Sequence, residues 1–406
     1  MSLLPVDEAL SRILSTAEPV RNAVERVSLA DAGGRVAASP VLARYLQPPF
    51  DCSAMDGYAL IAPHDIAYPA QFQVIGESAA GKRFEGSLTQ GQAVRIFTGA
   101  PLPEGADSVV IQEHTQRTGN DLTVLEGIDK GRHIRRAGLD FTPDSIVILP
   151  GRELDAPALS LIAASGNAEV QVFKRPRIAI LATGDELVSP GCVPGPDQIV
   201  ASNSVGIAEI ARRVGGKPED MGIIPDDPVQ IERAIDDALH DGVDVLVTIG
   251  GASVGDRDFI HGALRNCGVD LDFWKIAMRP GKPLMYGRKV VQGKAVHIIG
   301  LPGNPVSSLV CAHIFLRPLI AKLSGSRLMA DIRPARLGTA MPANDHRRDY
   351  VRVQIKIDAD GIPIASASTM QDSSMLSALV RADALLIRDE NAPAADAGEP
   401  CRILML

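Results

Sequence analysis

Residues 243–258 read VDVLVTIGGASVGDRD and join an apolar run to a glycine-rich, acidic loop. The branched apolar run at 243–249 is short, nearly uncharged and followed by glycine, which is typical of a strand buried on both faces of a sheet. Ligands bind at the carboxyl ends of parallel strands, and a glycine-rich turn there lets backbone N–H groups approach a phosphate. Asp256 and Asp258 are suited to a hard cation such as Mg²⁺. The stretch by itself fits either a phosphate-and-magnesium pocket or a tight turn with a capping aspartate.

The composition narrows the class of protein. A chain of 406 residues suggests about three domains. Its formal net charge of −8 argues against wholesale binding to nucleic acid or to an anionic membrane. The five cysteines are scattered without a Cys-x-x-Cys pair, which suits a reducing cytoplasm and speaks against zinc or iron–sulfur binding. The N-terminus lacks a signal-peptide layout and no apolar run reaches the length of a membrane span, so we expect a cytoplasmic protein.

Residues 177–323 alternate between strand and helix patterns. This alternation predicts right-handed parallel crossovers and a three-layer α/β domain. Ser202 and Asn203 predict the N-cap of the first helix in this block. The predicted strands are 178–181, 221–224, 243–249 and 296–299, and the predicted helices are 205–214, 229–240, 259–266 and 306–323.

Two further regions have a β pattern. Short apolar runs at 72–75, 93–97, 108–111 and 122–125, interrupted by glycine and proline, predict a small all-β domain. A strand at 146–149 is expected to pair with the N-terminal segment, which makes this β domain an insertion. Near the C-terminus, residues 350–357 alternate, with Val351 and Val353 on one face and Arg352 and Gln354 on the other. With a hairpin turn at 360–361, this predicts a small barrel or sandwich.

Several polar loops follow the strands of the α/β block. Because the carboxyl ends of parallel strands meet at one edge, we expect these loops to form one site. Glu186, Asp226, Asp227, Asp256 and Asp258 supply carboxylates there, and Lys275, Arg279 and Lys282 supply positive charge. This mixture suits a metal-bridged phosphate or oxyanion better than a hydride cofactor. The sequence has no P-loop and no G-x-G-x-x-G fingerprint, and its eight histidines show no metal-ligand spacing.

Seven motifs occur together and in order along the chain. They are SAMDGYA at 53–59, FTGAPLPEGAD at 97–107, TGDEL at 183–187, SNS at 202–204, GGASVGDRD at 250–258, RPGKP at 279–283 and GLPGNPVS at 300–307. The set resembles the MoeA family of molybdopterin molybdenumtransferases, whose relatives include the gephyrin E domain and its plant counterpart. The resemblance covers essentially the full length of the chain.

The resemblance implies an elongated homodimer of four-part subunits. An N-terminal connecting domain would comprise 1–50 and 141–176, and an inserted β domain would comprise 51–140. A molybdopterin-binding α/β domain similar to molybdopterin adenylyltransferase would span 177–325, and a C-terminal β-barrel would span 326–406. The β domain of the partner subunit would help to wall the active cleft.

The resemblance also implies an activity. The enzyme would take adenylylated molybdopterin and molybdate and, with Mg²⁺, release AMP and leave molybdenum on the pterin. Two alternatives remain: the adenylyltransferase reaction, since the α/β domain is shared, and a non-catalytic scaffold such as gephyrin. Tungstate has the same shape and charge as molybdate, so the sequence leaves the metal donor open. Contacts with the molybdopterin adenylyltransferase and with molybdoenzyme chaperones are further expectations.

The matching motifs carry site residues onto this chain. The implied catalytic residues are Asp56, Thr98, Asp140, Glu186, Asp226 and Asp258. The implied Mg²⁺ ligands are Asp226, Asp256 and Asp258. The implied substrate-binding residues are Ser202, Asn203, Gly250, Gly251, Ser253, Gly255, Lys275, Arg279, Lys282, Pro302, Pro305, Arg352 and Ser373. Of these, Arg352 and Ser373 would approach the oxyanion from the C-terminal domain.

Four positions depart from the family pattern. Cys52 stands where the family usually has Asn, and Arg279 stands where it has Lys. Arg279 keeps the charge and adds a forked donor suited to oxyanions. Leu139 replaces an acidic residue and Ala252 replaces Val. None of these changes removes an implied catalytic group, and Leu139 bears most on the role of its loop.

Overall fold

The computed structural model describes residues 3–19, 23–250, 259–326 and 330–406. The chain divides into two compact units. The larger unit comprises 1–25, 34–38 and 172–406, and the smaller comprises 26–33 and 39–171. The predicted site residues Gly251, Ser253, Gly255, Asp256 and Asp258, together with Ala252, lie outside the described residues.

A six-stranded sheet forms the centre of the larger unit. All five residues of the strand Val245–Ile249 are buried, as the apolar run predicted. This central strand pairs in parallel with a neighbour on each side, and burial on both faces is typical of strands in such a position. The strands lie in the order Lys217–Ile224, Arg177–Thr183, Val245–Ile249, Lys294–Leu301, Met285–Val291 and Asp270–Phe273.

Helices cover both faces of this sheet. Alternate residues of one strand face opposite ways, so that Ile180 packs into one hydrophobic cluster and Leu181 into the other. The first face is covered by Val6–Thr16, Asn203–Arg213 and the helix at 305–323, and the second by Pro228–His240 and Phe259–Asn266. The predicted three-layer α/β domain is therefore confirmed.

The sheet is mixed rather than wholly parallel, which corrects the expectation from the sequence. The strands Met285–Val291 and Lys294–Leu301 form an antiparallel hairpin, and Asp270–Phe273 adds to it antiparallel. The hairpin turn has two residues, Gln292 with φ 51° and Gly293 with φ 79°. A turn with two positive φ values matches the twist of the strands it joins. The strand at 285–291 was not predicted, although a Gly-containing turn between two apolar runs is its signal.

The helix that follows the sheet changes geometry along its length. It begins as Pro305–Cys311, passes through a π-helical segment at Ala312–Leu316 and ends as Arg317–Leu323. By length and composition alone, this helix could cross a membrane. However, 72% of its most apolar window is buried inside the protein, where it contributes to the core of the α/β layers.

The C-terminal strands close into the barrel that was predicted. Arg348–Ile357 pairs with a strand on each side, and the ring closes through antiparallel pairing. The barrel strands are Ile332–Leu337, Arg348–Ile357, Pro363–Ala367, Ala384–Arg388 and Pro400–Met405. The short strand Met278–Arg279 joins Arg348–Ile357 in parallel, and a short helix, Leu376–Val380, precedes Ala384–Arg388.

The smaller unit contains a six-stranded sheet of its own, and the four strands predicted there are present. Tyr58, Leu60, Phe72 and Leu122 form part of its core. Its strands lie in the order Ser108–Ile111, Gly57–Leu60, Gln92–Ile96, Ala70–Ser78, Asp121–Val124 and Thr115–Thr118.

Short pairings complete this unit. Ile134–Arg135 pairs with Cys52–Ser53, and Ile146–Ile148 pairs with Val41–Leu42 as the sequence predicted. Asp155 caps the helix Ala156–Ala164 by accepting a hydrogen bond from the Ala158 N–H at 3.0 Å. Val24–Ser28 and Glu169–Phe173 form a two-stranded sheet. The four-domain division stays a prediction.

Candidate active site

A cavity of about 650 Å³ lies at the carboxyl ends of the parallel strands of the larger unit. Four of the lining segments lie at the ends of parallel strands or directly after them: 182–184 with 186–187, the residue Asp226, 249–250 and 302–305. Segment 199–204, Pro283 and Ser374 complete the lining. This volume lies within the range of about 300–1,000 Å³ that is usual for small-molecule sites. The predicted site residues that line it are Glu186, Ser202, Asn203, Asp226, Gly250, Pro302 and Pro305.

Gly250 lets two strand ends approach closely. Its φ is 91°, and a Cβ on this residue would lie 2.8 Å from the Thr183 carbonyl oxygen. Its N–H donates to the Leu301 carbonyl at 3.2 Å. A side chain at this position would both strain the backbone and separate these strand ends, so glycine is required here.

Two carboxylate residues, Glu186 and Asp226, line the cavity. The Asp226 N–H donates to Asp185 Oδ1 at 3.1 Å, so the loop after one strand holds the loop after its neighbour. Asp227 has a different role, because its carboxylate accepts from the Gln230 N–H at 2.8 Å and caps the helix Pro228–His240. Of the two adjacent acids, Asp226 is therefore the one placed at the cavity.

Asn203 ties two lining segments together. The helix Asn203–Arg213 begins here, with Ser202 at the N-cap position but without a side-chain capping bond. The helix therefore begins at the predicted position, but the predicted capping hydrogen bond to the side chain is not made. Instead, Asn203 Nδ2 donates to the Gly303 carbonyl at 2.7 Å, which holds the segment 302–305 beside the start of the helix.

The predicted basic residues are not among the residues that line the cavity. Lys275 is exposed, and its Nζ lies 5.2 Å from the centre of the Trp274 ring. Arg279 pairs with the Asp349 carboxylate and lies 3.5 Å from Asp345 Oδ2. Lys282 is exposed and precedes the lining residue Pro283. The forked donor of Arg279, expected to meet an oxyanion, is thus engaged with carboxylates of the barrel.

Arg352 is buried, with only 2% of its surface exposed. The alternation in its strand predicted an outward side chain, and the structure corrects this. Its Nη1 donates to the Asp372 carbonyl at 2.9 Å and its Nε to Gln371 Oε1 at 3.2 Å. Burial lowers the pKa of its guanidinium. Ser373 lies in the same segment, and its Oγ accepts from Asn304 Nδ2 at 3.1 Å.

In the smaller unit, Asp56 and Thr98 are in direct contact. Asp56 Oδ1 accepts from the Thr98 N–H at 2.7 Å and from Thr98 Oγ1 at 2.8 Å. These two hydrogen bonds lower the pKa of Asp56, because they stabilise the charged form. Asp140 lies on a different loop, and its N–H donates to the Gln47 carbonyl at 2.9 Å. The neighbouring Leu139 is 67% exposed.

Sequence reasoning missed Arg95, which lies beside the Asp56–Thr98 pair. Its Nη1 donates to the Gly57 carbonyl at 3.2 Å, and its guanidinium lies 4.7 Å from the centre of the Phe97 ring. Its charge adds to the lowering of the Asp56 pKa. Arg95 thus contacts the residue after Asp56 and the residue before Thr98. Its strand pattern gave no sign of this, because the contacts depend on the register between strands.

The predicted Mg²⁺ ligands are described only in part. Asp226 lies at the cavity, whereas Asp256 and Asp258 are outside the described residues. Within residues 3–19, 23–250, 259–326 and 330–406, no group of three or more His, Cys, Asp or Glu side chains is arranged to hold a metal ion. The proposed ligand set stays a prediction.

Comparisons with known proteins agree with this architecture. Three family models match: the MoeA N-terminal region (domain I and II) at 4–166, a probable molybdopterin binding domain at 179–322, and the MoeA C-terminal region (domain IV) at 334–406. The molybdopterin molybdenumtransferase of Haemophilus influenzae is 32% identical over 99% of this chain and 98% of its own length. The chain belongs to the MoeA family.

Other MoeA-family proteins support the same assignment. The molybdopterin molybdenumtransferase of a Nostoc species is 36% identical over 74% of this chain and 70% of its own length. A crystal structure of the molybdopterin biosynthesis MoeA protein from Pyrococcus horikoshii covers 100% of both chains with a TM-score of 0.83 at 27% identity. The cavity described above lies within the region that matches the molybdopterin binding domain.

Proposed function

We propose that this chain inserts molybdenum from molybdate into adenylylated molybdopterin, with Mg²⁺-dependent release of AMP, as a cytoplasmic homodimer. Membership of the MoeA family across the whole chain supports a transferase of molybdenum cofactor biosynthesis. The structural observation that carries the proposal is the cavity at the strand ends, lined by Glu186, Asp226 and Gly250. Strand ends of this kind are where α/β sheets bind phosphorylated ligands.

The lining residues have complementary tasks in this proposal. The N-terminus of the helix Asn203–Arg213 favours a negatively charged group, since its first N–H groups lack partners within the helix. Gly250 keeps the cavity wall free of a side chain and lets the ligand approach the backbone. The exposed Lys275 and Lys282 contribute positive potential near an anionic substrate.

The carboxylates of Glu186 and Asp226 argue for a cation. Two carboxylates beside an adenylate phosphate would repel it, whereas oxygen ligands of this type suit Mg²⁺. The residues present therefore fit the ion, with Asp226 as a ligand and Asp256 and Asp258 completing the proposed set. When bound, Mg²⁺ would neutralise charge on the phosphate and favour cleavage of the bond to the adenylate.

The direct test follows AMP release and molybdenum bound to the pterin, with adenylylated molybdopterin, molybdate and Mg²⁺ supplied. We expect Asp226→Asn and Glu186→Gln to lose about 100-fold or more in AMP release. Asp237→Asn, an exposed acid on the helix Pro228–His240, is the matched control and should keep full activity. Unchanged AMP release in both cavity variants would remove the role proposed for these carboxylates. Formation of adenylate from ATP and molybdopterin by the wild type would favour the adenylyltransferase reaction instead.

The proposed dimer has a site composed of residues from both subunits, with Asp56 and Thr98 contributed by the partner. A mixture of Asp56→Ala and Asp226→Ala chains, each inactive alone, tests this directly. Equal mixing should restore about a quarter of the wild-type sites, since half of the dimers are mixed and each has one intact site. No recovery after subunit exchange, with mixed dimers verified by mass spectrometry, would place both residues in the same subunit's site.

A further inference from the structure

The segment 370–374 is held by a buried arginine of the barrel. Arg352 directs its guanidinium at this segment, with Nε bonded to Gln371 Oε1, Nη1 to the Asp372 carbonyl and Nη2 3.5 Å from the Met370 carbonyl. A guanidinium that is 2% exposed needs such partners, because a buried charge without hydrogen bonds is strongly unfavourable. The position of the segment and the burial of the arginine therefore depend on each other.

Gln371 completes this contact from the other side. Its Oε1 accepts from the backbone N–H of Arg352 at 3.1 Å as well as from Nε, and its Nε2 donates to the Arg352 carbonyl at 3.1 Å. Nε2 also donates to the Ser368 carbonyl at 3.0 Å. One amide thus bonds both backbone groups and the side chain of Arg352, which fixes the segment in register with the barrel strand.

The same segment reaches the cavity. The Val306 N–H donates to the Ser373 carbonyl at 3.0 Å, and Asn304 Nδ2 donates to Ser373 Oγ at 3.1 Å. Ser374 lines the cavity, and its N–H and Oγ are both bonded to Asp372 Oδ1, at 2.8 and 2.6 Å. Hydrogen bonds therefore hold Gln371 and Asp372 to Arg352, the backbone continues from Asp372 to Ser373, and Ser373 is bonded to Asn304, which is itself a lining residue.

We propose that Gln371 and Arg352 are positioning residues that set the place of Ser373 and Asn304 at the cavity edge and so control substrate binding there. This inference rests on the proposed function for its consequence in catalysis, although the positioning itself is a property of the free protein. It assigns to Arg352 a structural task in place of direct contact with the oxyanion. It also assigns a task to Gln371, which the sequence motifs did not single out.

The first test measures hydrogen exchange in the substrate-free, full-length protein. In Gln371→Ala we expect the amides at 370–375 and those of Asn304 and Val306 to exchange at least about fivefold faster, since removing one side-chain hydrogen-bond partner costs about 1 kcal/mol. Gln354→Ala, an exposed glutamine on the same strand, is the control and should exchange as the wild type does. Unchanged exchange at 304–306 in Gln371→Ala would overturn the inference, whatever the activity of the protein.

The second test separates positioning from direct contact by kinetics. We expect Gln371→Ala to raise KM for a substrate about fivefold with kcat nearly unchanged. In Gln371→Glu the rise in KM should be smaller, because the carboxylate keeps the acceptor for Arg352 Nε. Arg352→Met should raise the same KM, and the double variant should show less than the product of the two effects. A raised KM for molybdate in Arg352→Met alone, with Gln371→Ala kinetically normal, would show direct contact and overturn the inference. If the wild type has no transferase activity but Gln371→Ala shows the predicted hydrogen exchange, the proposed function is wrong and the positioning role still holds.

Discussion

The central strand Val245–Ile249 and the barrel strand Arg348–Ile357 were both predicted from their hydrophobic patterns, with different success. The first is buried at every residue, as its uninterrupted apolar run indicated. The second alternates in sequence, yet Arg352 is buried between Val351 and Val353. A run of apolar residues is enough to predict burial, because removing apolar side chains from water is favourable whichever helices cover them. The burial of a polar side chain depends on a partner elsewhere, here Gln371, and the local pattern contains no signal for that partner.

The largest expected effect tests the central strand. Val247 is fully buried between the two helical layers, so Val247→Asp would place an unpaired charge in the core. We expect the free energy of unfolding to fall by more than about 4 kcal/mol, measured by urea denaturation followed by circular dichroism. Val290→Asp is the matched control, since Val290 lies in the same sheet and is 70% exposed. Equal urea midpoints for the two variants would contradict the burial of Val247 in the core.

A pH titration tests a buried polar residue next to the central strand. His297 pairs with Val245, its Nδ1 lies 2.9 Å from Tyr286 Oη, and burial lowers its pKa to about 4. Burial also lowers the pKa of His313 to about 4. Both side chains are neutral when folded and take up protons near pH 6.5 when unfolded. Stability should therefore be lost as the pH falls from 6.5 towards 4, by up to about 1.4 kcal/mol per pH unit for each histidine, and should not depend on them above pH 6.5.

Urea denaturation at several pH values between 4 and 8 measures this loss. Carboxylates also titrate at the acid end, so the informative quantity is the difference between the wild type and His297→Gln with His313→Gln. We expect the double variant to have a shallower dependence between pH 4 and 6.5. The same slope in both proteins would show that the two imidazoles keep ordinary pKa values.

A smaller effect tests the barrel strand. Arg352→Met removes the guanidinium donors to Gln371 and to the Asp372 carbonyl, and we expect the free energy of unfolding to fall by about 1–3 kcal/mol, because hydrogen bonds from a charged group are lost. Gln354→Met, two residues along on the exposed side, should change stability by less than about 0.5 kcal/mol. Both are measured by urea denaturation. If both variants lose little stability, Arg352 contributes no more to stability than the exposed Gln354 does, and the alternating pattern describes the strand adequately.

Much of the fold and of the cavity follows from the sequence for the same physical reason. Apolar periodicity predicted the α/β layers, and the rule that ligands bind at strand ends selected Glu186, Asp226 and Gly250, which do line one cavity. What could not be predicted depends on pairing between distant segments. Arg95 acquires its neighbours from strand register, and Arg279 pairs with carboxylates of the barrel. In both, the local sequence specifies a charge but not its partner.

The smallest expected effect concerns the antiparallel hairpin of Met285–Val291 and Lys294–Leu301, which was not predicted from the sequence. Gln292 adopts φ 51° in the two-residue turn before Gly293, a conformation that asparagine tolerates better than glutamine. Gln292→Asn should therefore raise the free energy of unfolding by a few tenths of a kcal/mol to about 1 kcal/mol, measured by urea denaturation. Gln116→Asn, within the strand Thr115–Thr118 of the smaller unit, is the control and should give no gain, because asparagine is unfavourable in strands. A loss of stability in Gln292→Asn would mean that contacts of the glutamine side chain outweigh the backbone preference. The hairpin, like Arg352, would then depend on partners that the local pattern does not contain.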